Sequence, residues 1–341
     1  MPSPINPDLS GIHRLSVPTP FPVGPVNLYL ISGEPLTLVD VGPMTREAWE
    51  GLRAGLAEYG ATVADIRRVV ITHPHEDHCG QVARVAEASG AEVIVHPEAR
   101  AFFERYEDHW RERQDYFEPL LEVMGVPGDL RARAAEVNRQ LAGFGRRADI
   151  DRCPTEGETI RTGAGRFTVL HTPGHSRASL CLWRREDGLL IGGDTLLKDI
   201  SSNALMEPTA DGVGEYRSLA TYLSTLRRLE GMDISVILPG HGEPISDHRR
   251  VIESRFAFHE VRKNEIMGLL RGGPATVFQV CRGLFPDLGP GGLFLGLSEA
   301  FGHLQVLEEE GRVVRGNDGR TLVFSRGPRE VMSGGDVGTP G

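Results

Sequence analysis

The chain has few cysteines, and those it has do not form a recognisable set. Four of its 341 residues are cysteine, and no two of them make a C-x-x-C pair. Their spacing gives no disulfide framework, and such sparse use is typical of a reducing compartment. We interpret the first as a small buried residue at a helix start, although it follows a histidine directly. The four are Cys79, Cys153, Cys181 and Cys281.

Positive charge and long apolar runs are also scarce. Lys and Arg number 37 against 47 Asp and Glu, which gives a formal net charge of −10. That balance argues against a nucleic-acid-binding surface over the whole molecule. No window reaches the apolar length of a membrane span, and residues 1–10 lack the basic and apolar stretches of a secretory signal. We therefore expect a cytoplasmic protein without membrane association.

The length allows one large domain and a small one. Short strands and helices alternate through residues 1–250, which we predict to be the main domain. Within it, residues 98–150 carry charges and aromatics at helical spacing, and this segment is predicted to be a helical insertion and a candidate lid. We interpret its aromatic residues mainly as a packing face. These are Phe102, Phe103, Tyr106, Trp110, Tyr116 and Phe117.

The C-terminal part has a different texture. Three helical runs are predicted over residues 247–270, 276–284 and 297–310. They are followed by a hairpin with Asp318-Gly319 at its turn. This order predicts a small winged-helix-like domain over residues 251–326. Residues 327–341 contain Gly, Pro and Ser, and we predict a disordered tail there.

Residues 72–80, T-H-P-H-E-D-H-C-G, hold the densest group of chemically active side chains. Three imidazoles and two carboxylates lie within six residues. A strand is predicted just before the motif and a helix just after it, so the motif is expected to lie on a strand-to-helix loop. Neutral imidazoles and carboxylate oxygens together suit zinc, iron or manganese.

Three later segments also end predicted strands on residues of the type that bind metals. They read Thr-Pro-Gly-His at 172–175, Gly-Gly-Asp-Thr at 192–195 and Pro-Gly-His-Gly at 239–242. Each is a weak signal alone, but their order after the first motif makes a strong one. Five histidines and two aspartates are enough for two metal ions that share one carboxylate.

In these motifs the sequence resembles the metallo-β-lactamase superfamily, and most closely its glyoxalase II-type hydrolases, over roughly residues 10–250. The resemblance implies an α/β fold, an αββα sandwich with metals at one edge. It also implies a set of roles. His73, His75 and His175 would hold one metal; Asp77, His78 and His241 would hold the second; Asp194 would bridge them; Asp40 would orient the site from outside the ligand set.

Other residues near the motifs receive lesser roles. The family pattern selects His175 rather than His171, which is predicted to lie at a strand end near the site. Glu76 is interpreted as supporting the ligands from outside or facing solvent. Five further histidines fall outside the motifs and are predicted to be surface or core residues: His96, His109, His248, His259 and His303.

The resemblance implies a hydrolase that cleaves a small thioester, ester or lactone. A hydroxide held between two divalent metal ions would attack the substrate, so no serine or cysteine nucleophile is needed. Zinc is the favoured metal, with iron and manganese open. Asp77 would also pass a proton to the leaving group. The pocket would be shaped by the insertion and by the Pro-rich loop at residues 18–25.

Several members of the superfamily are disfavoured by single residues. Flavodiiron reductases carry Glu where His75 stands, and zinc β-lactamases usually carry Cys where Asp194 stands. The basic C-terminal segment of glutathione-thioester hydrolases is not found, which puts glutathione specificity in doubt. A non-enzymatic binding protein of this fold, in which metal-binding residues have been lost, is disfavoured because all seven metal-binding residues are present.

Two alternative activities stay open. The C-terminal unit resembles that of β-lactamase-like proteins that include an RNA endonuclease and fungal carrier-protein thioesterases, so cleavage of single-stranded RNA is the runner-up. However, residues 297–310 contain several Glu and no Lys or Arg, and phosphate binding needs positive charge. A mononuclear iron persulfide dioxygenase is the other alternative. The expected partner is a small-molecule substrate rather than a nucleic acid, and a homodimer is left open.

Overall fold

The computed structural model describes residues 9–209 and 215–328. Most of residues 1–10, where no secretory signal is expected, and most of the predicted disordered tail lie outside these ranges. Among the described helices, none has the length and apolar character that a membrane crossing requires.

The first sheet has five strands in the order β1-β2-β3-β4-β5. β1 to β3 are antiparallel, whereas β3, β4 and β5 run parallel. Every residue of β2 is buried, as its sequence VNLYLI predicts. The strands are β1 (Ile12–Val17), β2 (Val26–Ile31), β3 (Thr37–Val39), β4 (Arg68–Val70) and β5 (Glu92–Ile94).

The second sheet has five strands in the order β10-β9-β8-β7-β6. β10 is parallel to β9, and the other neighbours are antiparallel, so β7, β9 and β10 all point the same way. The strands are β6 (Thr159–Thr162), β7 (Gly165–His171), β8 (Leu180–Arg184), β9 (Leu189–Gly193) and β10 (Val236–Pro239).

The two sheets pack face to face, and helices cover their outer faces. Aliphatic residues of both sheets, such as Ile31 and Leu182, share one buried cluster. The outer face of the first sheet packs on α1 (Arg46–Glu58) and α3 (Val82–Ser89). The outer face of the second sheet packs on α7 (Ser218–Glu230) and α8 (His248–Leu269). The predicted αββα sandwich is therefore confirmed.

The predicted insertion consists of helices that leave the first sheet after β5. They are α4 (Arg100–Glu104), α5 (Tyr106–Val123) and α6 (Gly128–Leu141). The helical run breaks between α5 and α6, where the sequence is Val126-Pro127-Gly128. Its aromatics are buried or partly buried in two clusters, so the packing interpretation is confirmed.

The C-terminal unit combines helices with a three-stranded sheet ordered β11-β13-β12. Its core is shared with the insertion, because Phe117, Leu121 and Met124 of that segment pack in the same cluster as Leu297 and Phe324. The winged-helix assignment and the division at residue 250 stay predictions; α8 spans that position. The further elements are β11 (Ala275–Thr276), α9 (Val277–Leu284), α10 (Leu293–Glu309), β12 (Val313–Asp318) and β13 (Thr321–Arg326).

The structure corrects the predicted elements in three places. The motif at residues 72–80 is not all loop, because its second half forms the one-turn helix α2 (Glu76–Cys79). Cys79 thus ends a helix rather than starting one, although it is buried as predicted. The last helix begins at Leu293, earlier than predicted, since Gly296 in its first turn does not interrupt it.

Candidate metal centre

The fold brings the motif-bearing strand ends to one edge of the sandwich. β3 and β4 end there in the first sheet, and β7, β9 and β10 end there in the second. Backbone hydrogen bonds join the two sheets at this edge: Leu180 N donates to Thr72 O (2.8 Å), and Asn27 N donates to Gly240 O (2.7 Å). Loops that are far apart in the sequence are therefore held together rigidly.

His73, His75 and His175 form one group at this edge. Their nitrogen atoms lie within 4.8 Å of one another, and His75 Nδ1 is 2.9 Å from His175 Nε2. His175 Nδ1 donates to the carbonyl of Asn203 (2.8 Å), so its Nε2 presents a lone pair. Thr72 Oγ1 donates to Asp40 and lies 3.0 Å from His73 Nδ1, which favours a proton on that nitrogen.

Asp77, His78 and His241 form a second group beside the first, again with ligand atoms within 4.8 Å. Asp77 Oδ2 lies 3.2 Å from His241 Nε2 and 4.0 Å from His78 Nε2. His241 Nδ1 donates to the carbonyl of Pro25 (2.8 Å), which ties the Pro-rich loop to the site. The Nε2 atoms of both histidines therefore face carboxylate oxygens.

Asp194 lies between the two groups. Its Oδ1 is 3.3 Å from His78 Nε2, and its Oδ2 is 3.6 Å from His241 Nε2 and 3.8 Å from His175 Nε2. Its position depends on Gly240, because a Cβ there would overlap Asp194 Oδ1 and lie 2.5 Å from His78 Cε1. The glycine that follows β10 thus leaves the space that the carboxylate occupies.

Four ligand-type atoms in this cluster are buried and make no well-aligned hydrogen bond to the described residues, although His78 Nε2 and Asp194 Oδ1 lie only 3.3 Å apart. They are the Nε2 atoms of His73, His78 and His241 and the Oδ1 of Asp194. Leaving a buried polar atom unpaired costs roughly 1–3 kcal/mol, so such a concentration is unfavourable unless cations fill it. Nitrogen and carboxylate donors at these separations fit zinc or a similar divalent metal.

The charges in the cluster divide the histidines into two kinds. Burial and neighbouring histidines hold the pKa values of His73 and His75 well below 6.5, which keeps both neutral. Burial also acts to lower the pKa of His78, but the carboxylates of Asp194, Asp77 and Asp40 outweigh it and raise that pKa. Positive charge on His78 in turn outweighs burial and lowers the pKa of Asp194. The carboxylates of Asp77 and Asp194 thus stay ionised, whereas His73 and His75 stay neutral.

Asp40 supports the cluster from behind. It has φ = 59°, a left-handed conformation that is uncommon for residues other than glycine. This turn at the end of β3 directs its carboxylate to three donors: Thr72 N and Thr72 Oγ1, each at 2.8 Å, and His78 Nδ1 at 2.8 Å. The contacts fix the His78 ring with Nε2 facing the centre.

Replacing Asp40 with asparagine should weaken metal binding. The amide would present an N–H to His78 Nδ1, so the ring would lose its acceptor or move its proton to Nε2, the atom that faces the cluster. We expect zinc affinity about 10- to 100-fold lower, measured by competition with a coloured chelator. Asp149→Asn is the matched control, since that side chain is 83% exposed. Equal affinity in Asp40→Asn and wild type would contradict the role.

The structure keeps the other predicted candidates out of the ligand groups of the described residues. His171 ends β7, where its ring stacks on His96 at 4.0 Å and its Nε2 donates to Arg177 O. Glu76 is partly buried beside the cluster. The seven ligand candidates are brought together, and their role as ligands remains a prediction.

Three groups that orient the ligand histidines were not predicted from the sequence. They are the Thr72 side chain and the backbone carbonyls of Pro25 and Asn203. The carbonyls could not be predicted from residue type, because every residue has one.

Comparison with known proteins gives consistent matches. The family described as Metallo-beta-lactamase superfamily matches residues 21–241. The probable metallo-hydrolase YqjP of Bacillus subtilis (strain 168) is 36% identical over 313 residues, 92% of this chain and 97% of that protein. The metallo-beta-lactamase family protein TTHA1429 from Thermus thermophilus superposes with a TM-score of 0.79 at 30% identity, over 93% of this chain and 99% of that one. The acyl-coenzyme A thioesterase MBLAC2 of Homo sapiens is 29% identical over 238 residues, 63% of this chain and 72% of that protein.

Proposed function

This chain belongs to the metallo-β-lactamase superfamily, and we propose that it is a metal-dependent hydrolase of small acyl thioesters, with esters and lactones as related substrates. The observation that carries the proposal is the group of buried, unpartnered nitrogen and oxygen atoms at the sandwich edge. His73, His75 and His175 would hold one divalent cation, and Asp77, His78 and His241 the other. Asp194 would contact both.

The chemistry at the site follows from these side chains. Bound divalent cations supply positive charge for a developing oxyanion and lower the pKa of water. Asp77 is the residue that we assign to proton transfer, because its Oδ2 lies 3.2 Å from His241 Nε2 and only part of the residue is buried. Its carboxylate would take up the proton of the attacking water and return one to the leaving thiolate. Cys79 is not a nucleophile in this scheme, since burial raises the pKa of its thiol well above 9.0.

Two observations support an acyl substrate over RNA. The similar human protein is named an acyl-coenzyme A thioesterase. In addition, the acidic residues of α10 form ion pairs within the protein: Glu299 with Arg262 (3.2 Å), and Glu308 with Arg315 (2.9 Å). We therefore propose that the winged-helix-like unit is structural and does not bind nucleic acid.

A substrate panel tests the proposal. The zinc-loaded protein should hydrolyse an uncharged acyl thioester such as butyryl-N-acetylcysteamine, and should do so faster than it cleaves single-stranded RNA or a simple phosphodiester. His175→Ala should abolish this turnover, because it removes one cation ligand. His171→Ala should retain it, since that ring stacks outside the cluster.

Two outcomes would contradict the proposal. RNA cleavage without ester or thioester turnover would favour the nuclease. One tightly bound iron per chain, with oxygen uptake on a persulfide, would establish the dioxygenase instead.

A further inference from the structure

Arg113 is a positively charged residue of the insertion that is held by aromatic rings. It lies in the middle of α5, and its guanidinium carbon is 4.9 Å from the ring centres of both Phe117 and Phe294 and 5.6 Å from that of Trp110. Its Nε donates to Asn138 Oδ1 on α6 (3.2 Å). The guanidinium is therefore fixed where α5, α6 and the start of α10 meet.

This guanidinium lacks the carboxylate partner that arginines of this protein commonly have. No carboxylate oxygen of the described residues lies within 4.0 Å of it, and in this part of the chain its two terminal nitrogens donate to no acceptor. By contrast, Arg111 pairs with Asp108 (3.1 Å) and Arg177 with Glu98 (2.9 Å). Keeping a half-buried cation without a counter-ion costs free energy of folding. This cost points to a role for Arg113 other than stabilising the fold.

Arg113 is linked to the metal centre through the loop that carries Asn203. Phe294, whose ring centre is 4.9 Å from the guanidinium carbon, is followed by Leu295, and the carbonyl of Leu295 accepts a hydrogen bond from Asn203 Nδ2 (3.0 Å). The carbonyl of Asn203 in turn accepts a hydrogen bond from His175 Nδ1 (2.8 Å). The guanidinium therefore lies beside a segment that borders the cluster.

We propose that Arg113 binds an anionic group of the substrate, a carboxylate or a phosphate, and so selects acyl compounds that carry negative charge away from the bond that is cut. The inference rests on the proposed hydrolase function and deepens it. The two terminal NH2 groups, which donate to no acceptor among the described residues, match two oxygens of a carboxylate or phosphate. The aromatic rings hold the guanidinium by its charge and leave those N–H groups available.

Three substrates test the proposal and separate the two sources of charge. Butyryl-N-acetylcysteamine is neutral, glutaryl-N-acetylcysteamine carries a carboxylate on the acyl part, and butyryl-coenzyme A carries phosphates on the leaving group. In Arg113→Gln, the ratio of kcat/KM for the preferred anionic substrate to that for the neutral one should fall roughly 10- to 100-fold, mainly through KM. Arg113→Lys should restore part of the preference for the anionic substrate. The matched control Arg111→Gln, whose side chain is 71% exposed, should leave the ratio unchanged.

The substrates whose kcat/KM falls in Arg113→Gln show which part of the substrate Arg113 binds. A fall confined to the glutaryl substrate assigns Arg113 to the acyl side, and a fall confined to the coenzyme A substrate assigns it to the leaving group. Equal loss on all three substrates would overturn the proposal and leave Arg113 a structural role. If wild type hydrolyses none of them, the hydrolase proposal fails, and calorimetry of glutarate, coenzyme A and butyrate still tests Arg113. Binding of an anion that weakens in Arg113→Gln but not in Arg111→Gln would support the site, and any other result would overturn it.

Discussion

Replacing Asp194 with alanine is expected to lower thioester hydrolysis roughly 1,000-fold or more. This carboxylate lies within 3.8 Å of three imidazole nitrogens from both ligand groups, so its loss disturbs both proposed cation sites at once. Metal centres supply several kcal/mol of transition-state stabilisation, and each 1.36 kcal/mol corresponds to a factor of about ten in rate. The measurement is kcat/KM for the zinc-loaded variant, together with its metal content.

Asp233→Ala provides the matched control for this experiment. The Asp233 side chain is fully exposed, and its nearest ion-pair contact, with Arg249, is 3.7 Å long. Its removal should leave both rate and metal content unchanged. An Asp194→Ala protein that keeps more than about a tenth of wild-type kcat/KM would show that the carboxylate does not join two catalytic cations.

Removing metal from the protein is expected to lower its melting temperature by roughly 8–16 °C. A cation that binds only the folded chain stabilises it by about 4 kcal/mol when the free cation concentration is a thousand times its Kd. A change of about 1 kcal/mol shifts the unfolding midpoint of a domain of about 150–250 residues by roughly 2–4 °C. The structural reason is that three imidazole nitrogens and one carboxylate oxygen of the cluster are buried and make no hydrogen bond to the described residues. Thermal unfolding with chelator and with zinc restored measures the shift.

A pair of histidine variants makes this stability test specific. His175→Asn removes a candidate ligand, so most of the difference between chelated and zinc-loaded protein should disappear. His171→Asn changes a neighbouring histidine whose ring stacks on His96, so that variant should keep the full difference. A shift of the same size in both variants would place the stabilising metal elsewhere.

The ligand candidates are predictable because each one lies in a recognisable motif that follows a strand. His73 follows β4 of the first sheet and His175 follows β7 of the second, and these strand ends meet at one edge of the sandwich. The sequence does not predict the short helix α2, because a single turn has too few residues to show helical periodicity. Its hydrogen bonds are local: Cys79 N donates to His75 O (2.9 Å), and Gly80 N donates to Glu76 O (3.0 Å).

Other features depend on contacts that no local pattern records. The carbonyls of Pro25 and Asn203 orient two histidines, and any residue type supplies a carbonyl. The sequence predicts the insertion as a unit of the main domain, but Phe117 packs in the core of the C-terminal unit. The position of Arg113 beside Phe294 follows from that long-range packing, which composition and spacing do not encode.

Titration of metal-stripped protein with zinc, while hydrolysis of butyryl-N-acetylcysteamine is followed, tests the central claim most directly. We expect no hydrolysis without metal, a rise as zinc is added, and saturation near about two equivalents per chain. Full hydrolysis in the presence of excess chelator would contradict the account, as would a protein that takes up zinc and cleaves no acyl substrate.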